Sequence, residues 1–131
     1  MTDAPEVWFR SGLPGFPGER RFGLVRWGAS EGPYSVLVDL DDPAVRFLVA
    51  PPEVFFPSYA VELADDDVER LGLRAPDEAL ILVIVRLGET PAAATANLLG
   101  PVVINTRSCE GVQIVLPDAE YSTQTPLFVA A

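Results

Sequence analysis

Ala96-Asn97-Leu98-Leu99-Gly100-Pro101-Val102-Val103-Ile104-Asn105-Thr106 is an apolar run broken at fixed points by polar and turn-forming residues. Val102 to Ile104 is β-branched, which suits a buried strand. Asn105 and Thr106, followed by Arg107 to Gly111, form a polar connection to a second β-rich run, Val112 to Leu116. The stretch therefore predicts a β-hairpin with a loose loop. Cys109 is its only group capable of acid-base or nucleophilic work, so the hairpin points to a scaffold or binding surface rather than to catalysis.

Upstream, Leu80 to Leu87 is almost wholly aliphatic and β-branched, the pattern of a central strand covered on both faces. Gly88 to Pro91 ends it, and Ala92 to Thr95 suits one helical turn. Arg21 to Trp27 and Tyr34 to Leu40 read as a hairpin across the Gly28 to Pro33 turn, and Val45 to Val49 as a further strand. Val7 to Gly18 carries Gly12, Pro14, Gly15, Pro17 and Gly18, which predicts a structured aromatic loop rather than a central strand. Ala50 to Tyr59 concentrates prolines and aromatics in a stiff connection, with Phe55 and Phe56 placed to plug a barrel end. Tyr59 to Leu63 alternates as an edge strand would. Ala64 to Leu73 predicts a short helix of about two turns, with Asp65 or Asp66 as N-cap, Glu69 closing a capping box with Asp66 and Gly72 as terminator. Pro117 to Leu127 reads as a polar tail on the surface or a flexible end.

The chain of 131 residues fits one domain, 1–131, and 49% hydrophobic residues exclude a disordered chain. Its longest apolar run, Ala79 to Val85, is far too short to cross a bilayer. An acidic N-terminus without basic residues lacks the charge of a secretory signal, and a single cysteine suits a reducing cytoplasm. The formal net charge is −10, from 19 acidic and 9 basic residues, all arginine. Direct nucleic-acid binding is disfavoured, and a basic protein partner is favoured. Eight acidic residues against Arg70 and Arg74 lie between Glu53 and Glu78, so an electrostatic partner site is expected there.

Catalytic devices are scarce. With no histidine there is no imidazole base and no histidine-bearing metal site. Cys109 beside Arg107 lacks a base and reads as a surface thiol. Asp39, Asp41 and Asp42 precede Pro43 without the spacing of a calcium loop and read as turn residues. Gly12 to Gly18 lacks the Lys-Ser or Lys-Thr of a phosphate loop. These readings predict no enzyme activity, metal or cofactor.

Four phrases, taken in order, resemble the flagellar assembly factor FliW family: Gly12 to Phe16 with Arg21-Phe22; Asp41-Asp42-Pro43; Phe55 to Tyr59 with Leu71-Gly72-Leu73; and Asn97 to Thr106 with Tyr121-Ser122-Thr123. Together they cover nearly the whole chain, and Asn97 to Thr106 is the most specific. Family members carry a further strand before the Gly-Leu-Pro-Gly-Phe loop; only eleven residues precede Gly12 here, so that strand is expected to be shortened or missing.

The resemblance implies a mainly β, small antiparallel barrel-like domain with one or two short helices, acting as a protein-binding regulator. It further implies two partners: flagellin, bound in the cytoplasm, and the RNA-binding translational repressor CsrA. Free flagellin would displace the protein from CsrA, which then silences flagellin mRNA. On this reading Glu53, Glu62, Asp65, Asp66, Asp67 and Glu69 form an acidic face for the repressor. Phe55, Phe56, Tyr59 and the rim around Ile104 and Asn105 form an apolar seat for flagellin.

Overall fold

The computed structural model describes residues 5–13, 16–26, 32–116 and 121–128. Its strands are β1 (Glu6–Phe9), β2 (Gly12–Leu13), β3 (Phe16–Pro17), β4 (Arg20–Arg26), β5 (Ser35–Asp39) and β6 (Arg46–Ala50). There follow one helix, α1 (Asp65–Leu71), and strands β7 (Ala79–Arg86), β8 (Thr95–Ala96), β9 (Val102–Asn105), β10 (Glu110–Gln113) and β11 (Thr125–Pro126). Three single 3-10 turns start at Pro52, Pro76 and Pro91.

Seven strands close into a barrel in the order β7-β6-β5-β4-β1-β10-β9 and back to β7. Every pairing is antiparallel except that of β1 with β10, where Trp8 lies opposite Glu110. β7 is eight residues long because it serves two ladders on one edge. Its first half, Ala79 to Leu82, pairs with β9, while Val85 and Arg86 pair with β8, which in turn carries β11.

Side chains alternate across the pleat, and the alternation sorts the apolar residues into three layers. Inside the barrel lie Val7, Phe9, Leu13, Phe22, Leu37, Val49, Leu82, Val102 and Ile104. Phe9 meets Phe22 edge to face at 5.4 Å. Gly111 belongs to this interior too, since a Cβ there would lie 2.9 Å from the Phe9 ring. Val83 and Val85 point outward to a second layer with Ala50, Ala94, Ala96, Leu98 and Leu127, covered by Phe55, Phe56, Tyr59 and Tyr121. Val103 and Val112 point outward to a third layer with Leu71, Ile114 and Leu116, against which Val61, Leu63 and Leu73 pack. The all-apolar pattern of β7 is thus explained: both of its faces are covered.

The central strand, both hairpins and the turn after Pro91 form as expected, but several boundaries move. Val7 to Phe9 is strand rather than loop, and it fills the place where a first strand was expected to be shortened or missing. Four residues suffice because β1 is clamped on both edges, by β4 and β10. β10 starts at Glu110 instead of Val112, because the intervening turn is tight: Cys109 N–H donates to Asn105 O at 2.7 Å, and Cys109 takes a φ of 62°. Tyr59 to Leu63 is not a strand. Barrel closure leaves no free edge beside it, so its apolar side chains lie over the outer wall. α1 begins on Ala64, whose position carries no side-chain cap; Asp65, Asp66 and Asp67 all sit within the first turn. The expected capping box is therefore absent, whereas Gly72 ends the helix in the left-handed region at φ 65°. The tail is not loose over its described part, residues 121–128: Leu98 N–H donates to Ser122 O, and Leu127 is buried. Residues 117–120 and much of the Gly28 to Pro33 turn lie outside the described residues.

Candidate functional site

An open apolar groove of about 440 Å³ runs along the outer wall, lined by Val61, Leu63, Val68, Leu73, Arg74, Ala75, Pro76, Ala79 and Ile81. Ala79 and Ile81 of β7 face outward by the pleat and lie on its floor. Val68 comes from α1, Val61 and Leu63 from the extended segment before it, and Leu73 to Pro76 from the turn after it. None of these residues was among the partner-binding residues expected from the sequence. The usable signal was there, since Val61 and Leu63 alternate, but their meaning depended on whether a strand edge was available.

Arg74 is the charged side chain in the groove lining, and acidic residues are interleaved with that lining along the sequence. Glu62 separates Val61 from Leu63, Asp65 to Asp67 separate Leu63 from Val68, and Glu69 follows. Glu62, Asp65, Asp66 and Glu69 are exposed. Because no side chain caps α1, the carboxylates at its start remain available, held near the positive end of the helix dipole. Glu53 is also exposed but sits on the Pro52–Val54 turn over the second layer, so the expected acidic face is a strip of five residues plus one on a different element.

A brace behind the groove fixes its turn. Asn105 Nδ2 donates to Leu71 O at 2.7 Å, while its Oδ1 accepts from Arg107 N at 2.8 Å and Ser108 N at 3.2 Å. Arg107 donates to Gly72 O at 2.9 Å and pairs with Glu78 at 3.0 Å. The Glu78 carboxyl is held below the usual range, chiefly because Arg74 N–H donates to it and also through Arg107, which together outweigh desolvation. The helix end, the groove turn and the β9–β10 hairpin are thereby tied together.

This placement corrects part of the apolar prediction. Ile104 is 3% exposed inside the barrel and Asn105 is 0% exposed, so neither forms a rim that a partner can touch. Ile104 packs the core and Asn105 is the brace just described. Phe55 and Phe56 are half-buried on the outer wall rather than at a barrel end. Phe55 packs against Tyr34 at 5.9 Å and edge to face with Phe128 at 5.8 Å. Tyr59 donates to Leu98 O at 2.7 Å and meets the Tyr121 ring at 4.9 Å. Burial, helped by the Tyr121 phenol, pushes the Tyr59 phenol up to about 12. Beside Phe55 opens a second hollow of about 490 Å³, lined by Tyr34, Leu87, Gly88, Glu89, Thr90, Ala94 and Phe128.

The Asp39 group is more than a turn. Asp39 is 1% exposed and pairs with Arg20 at 2.5 Å, while its other oxygen accepts from Asp41 N and Asp42 N. Burial raises its pKa, but these hydrogen bonds together with the Arg20 charge outweigh burial and hold the carboxyl below the usual range. Among the described residues, no three carboxylate or thiol side chains gather as a metal site requires. Nor is any helix there long and apolar enough to cross a membrane.

The protein-family profile described as FliW protein matches residues 2–127. The flagellar assembly factor FliW of Bacillus licheniformis is 34% identical over 121 residues, covering 92% of this chain and 84% of that protein. That of Symbiobacterium thermophilum is 33% identical over 123 residues, covering 94% and 89%. A crystal structure of the flagellar assembly factor FliW superposes with a TM-score of 0.90 at 32% identity, covering 96% of this chain and 87% of that one. With the closed barrel and its outer-wall helix in place, the chain belongs to the FliW family.

Proposed function

We propose that residues 1–131 act as one FliW-like unit, a cytoplasmic flagellar assembly factor that binds flagellin. By partner switching the same unit binds and antagonises a CsrA-type repressor, coupling flagellin synthesis to export. The observation that carries the reading is the uncapped acidic strip Glu62, Asp65, Asp66, Asp67 and Glu69 along an open groove, in a member of this family. A strip of this sign suits the basic surface of an RNA-binding protein and acts mostly through association rate and salt dependence. Glu53 extends the negative field on the neighbouring element. Flagellin's terminal helices present an apolar stripe, and the hollow beside Phe55, in the same layer as Phe56 and Tyr59 and with Leu87 and Phe128 exposed at its edge, is the seat we assign to it.

Isothermal titration with the flagellin of the same species, and then with its repressor, at two salt concentrations tests this. Saturable one-to-one flagellin binding and salt-sensitive repressor binding are expected. Flagellin binding alone reduces the role to a chaperone, and silence with both refutes the proposal. Reversing Asp65, Asp66 and Asp67 to lysine is expected to weaken repressor binding at low salt; unchanged affinity removes the acidic face from the account.

A further inference from the structure

The barrel wall is covered unevenly. Among the described residues, the two outer layers take in outward side chains of β6, β7, β9 and β10 and none of β1, β4 or β5. Val7, Phe22, Leu37 and Val49 point into the barrel, so by the pleat Glu6, Gly23, Val25, Val36, Val38 and Arg46 stand on the outer face. The strand register sets them in rows. Glu6 lies beside Gly23, Gly23 beside Val38 and Val38 beside Arg46, so one row crosses four strands with an acid at one end and a base at the other. Val25 and Val36 are neighbours in the next row, and Val25 is 44% exposed.

This wall also escapes most of the negative charge of the chain. Residues 5–50 carry five arginines against six acidic residues, whereas residues 51–131 carry four against twelve. Repulsion between two copies is therefore weakest where these walls meet. A uniformly basic or uniformly acidic partner meets a like charge at one end of the row. A surface that carries the same row in reverse order meets none, and the same chain turned about a two-fold axis supplies it.

We propose that a second copy of this chain docks on this wall, giving a two-fold dimer whose axis lies between the two sheets and runs along the gap between β4 and β5. Glu6 of each copy then faces Arg46 of the other, placing an ion pair at each margin. Between the margins Val25 faces Val36 and Gly23 faces Val38, and the missing side chain at Gly23 leaves room for the valine as the sheets approach to about 10 Å. Arg46 is held ready for the contact. Its Nε and Nη2 donate to Pro43 O at 3.2 and 2.9 Å, which fixes the guanidinium and leaves Nη1 for the incoming carboxylate. The layer that carries α1 lies over β9 and β10, so its carboxylates stay outside this interface and the dimer does not depend on the partner roles proposed above.

Sedimentation equilibrium of the intact chain over a wide concentration range tests this, and a monomer–dimer equilibrium is expected. Glu6→Arg and Arg46→Glu, both at exposed positions, should each weaken the dimer by about tenfold or more, because each sets like charges together twice. The double variant Glu6→Arg with Arg46→Glu restores opposite charges in exchanged places and should return to within about threefold of the parent. Val25→Asp, exposed at the centre of the wall, should abolish the dimer, with thermal melting confirming that each variant is folded. A chain that stays monomeric throughout the range refutes the proposal, and so does growth beyond the dimer, which marks a head-to-tail contact. A dimer indifferent to Glu6→Arg or to Val25→Asp uses another surface and refutes it equally. A double variant as weak as the single ones refutes the pairing of Glu6 with Arg46 and with it the two-fold packing.

Discussion

Asn105→Ala probes whether one buried amide ties the groove to the barrel. In the native protein its side chain makes three hydrogen bonds, to Leu71 O, Arg107 N and Ser108 N. Arg107 and Ser108 are exposed, so their amides regain water when the side chain is cut back, at about 0.5–1 kcal/mol each. Leu71 is buried, and its carbonyl left without a donor costs about 1–3 kcal/mol. The sum is about 3 kcal/mol. With a urea m-value of about 1–3 kcal/mol/M, the unfolding midpoint should fall by about 1–3 M. Asn105→Asp separates the contributions, because it keeps the acceptor for Arg107 N and Ser108 N but sets a carboxylate oxygen against Leu71 O. It should therefore lose at least as much stability as alanine at neutral pH, then recover part of the loss on acidification, when a protonated carboxyl can donate again. A loss below about 1 kcal/mol for alanine, or an aspartate variant as stable as the parent at pH 7, would refute the brace.

Three further outcomes follow from the same structure. Ile104→Ala removes a side chain that fills the barrel interior and should cost about 2–5 kcal/mol, with partner affinity of the folded fraction unchanged in titration; Phe56→Ala, half-buried on the outer wall, should cost less and affect flagellin binding more. Gly111→Ala brings a Cβ to 2.9 Å from the Phe9 ring and 3.0 Å from Val7, which should cost about 1–3 kcal/mol; adding Phe9→Leu should recover part of it in a double-mutant cycle read by urea unfolding. Asp39 has a folded pKa below its unfolded value, so its stabilisation is fully present above about pH 4 and is lost as pH falls through the folded value. Asp39→Asn should flatten that acid limb, and at pH 7 should cost about 2–4 kcal/mol by leaving Arg20 without its partner; identical acid limbs in the two proteins would refute this.

What the sequence disclosed and what it hid divide along one physical line. Strands with period-two or all-apolar patterns were legible, because Leu37, Val49, Leu82 and Val83 announce themselves through the pattern of their own strand, whatever remote residues then cover them. β1 was hidden by its neighbours: the glycines and prolines of residues 12–18 dominate the local reading, while Val7 and Phe9 are held by partners at residues 20–23 and 110. The Asp39 pair with Arg20 spans 19 positions and has no local signature. The groove escaped for the same reason, since its walls come from three separate stretches and its floor from a fourth element. The acidic strip was read as a concentration of charge, but the capping role also expected of Asp65 or Asp66 with Glu69 is not filled, because Ala64 stands at the N-cap and has no side chain to cap with.

Closure of the barrel also constrains how such a protein can bind anything. The closed seven-strand wall has no edge to offer, which leaves β11, at the end of the β7-β8-β11 extension, and the separate β2–β3 pair as the sheet edges among the described residues. Recognition by the wall itself must therefore use side chains on its outer face or in the layers laid over it. Those layers differ in character. The one over β6 and β7 is aromatic, with a hollow beside Phe55, whereas the one on which α1 packs leaves an aliphatic furrow floored by Ala79 and Ile81 of β7. On the remaining wall, Arg10 and Arg21 stack on Trp8 at 4.2 and 5.2 Å. Arg10 is itself paired with Glu110 at 2.6 Å, so this wall carries less free positive charge than its arginines suggest. A basic partner of the kind proposed would therefore be steered chiefly by the exposed carboxylates around α1.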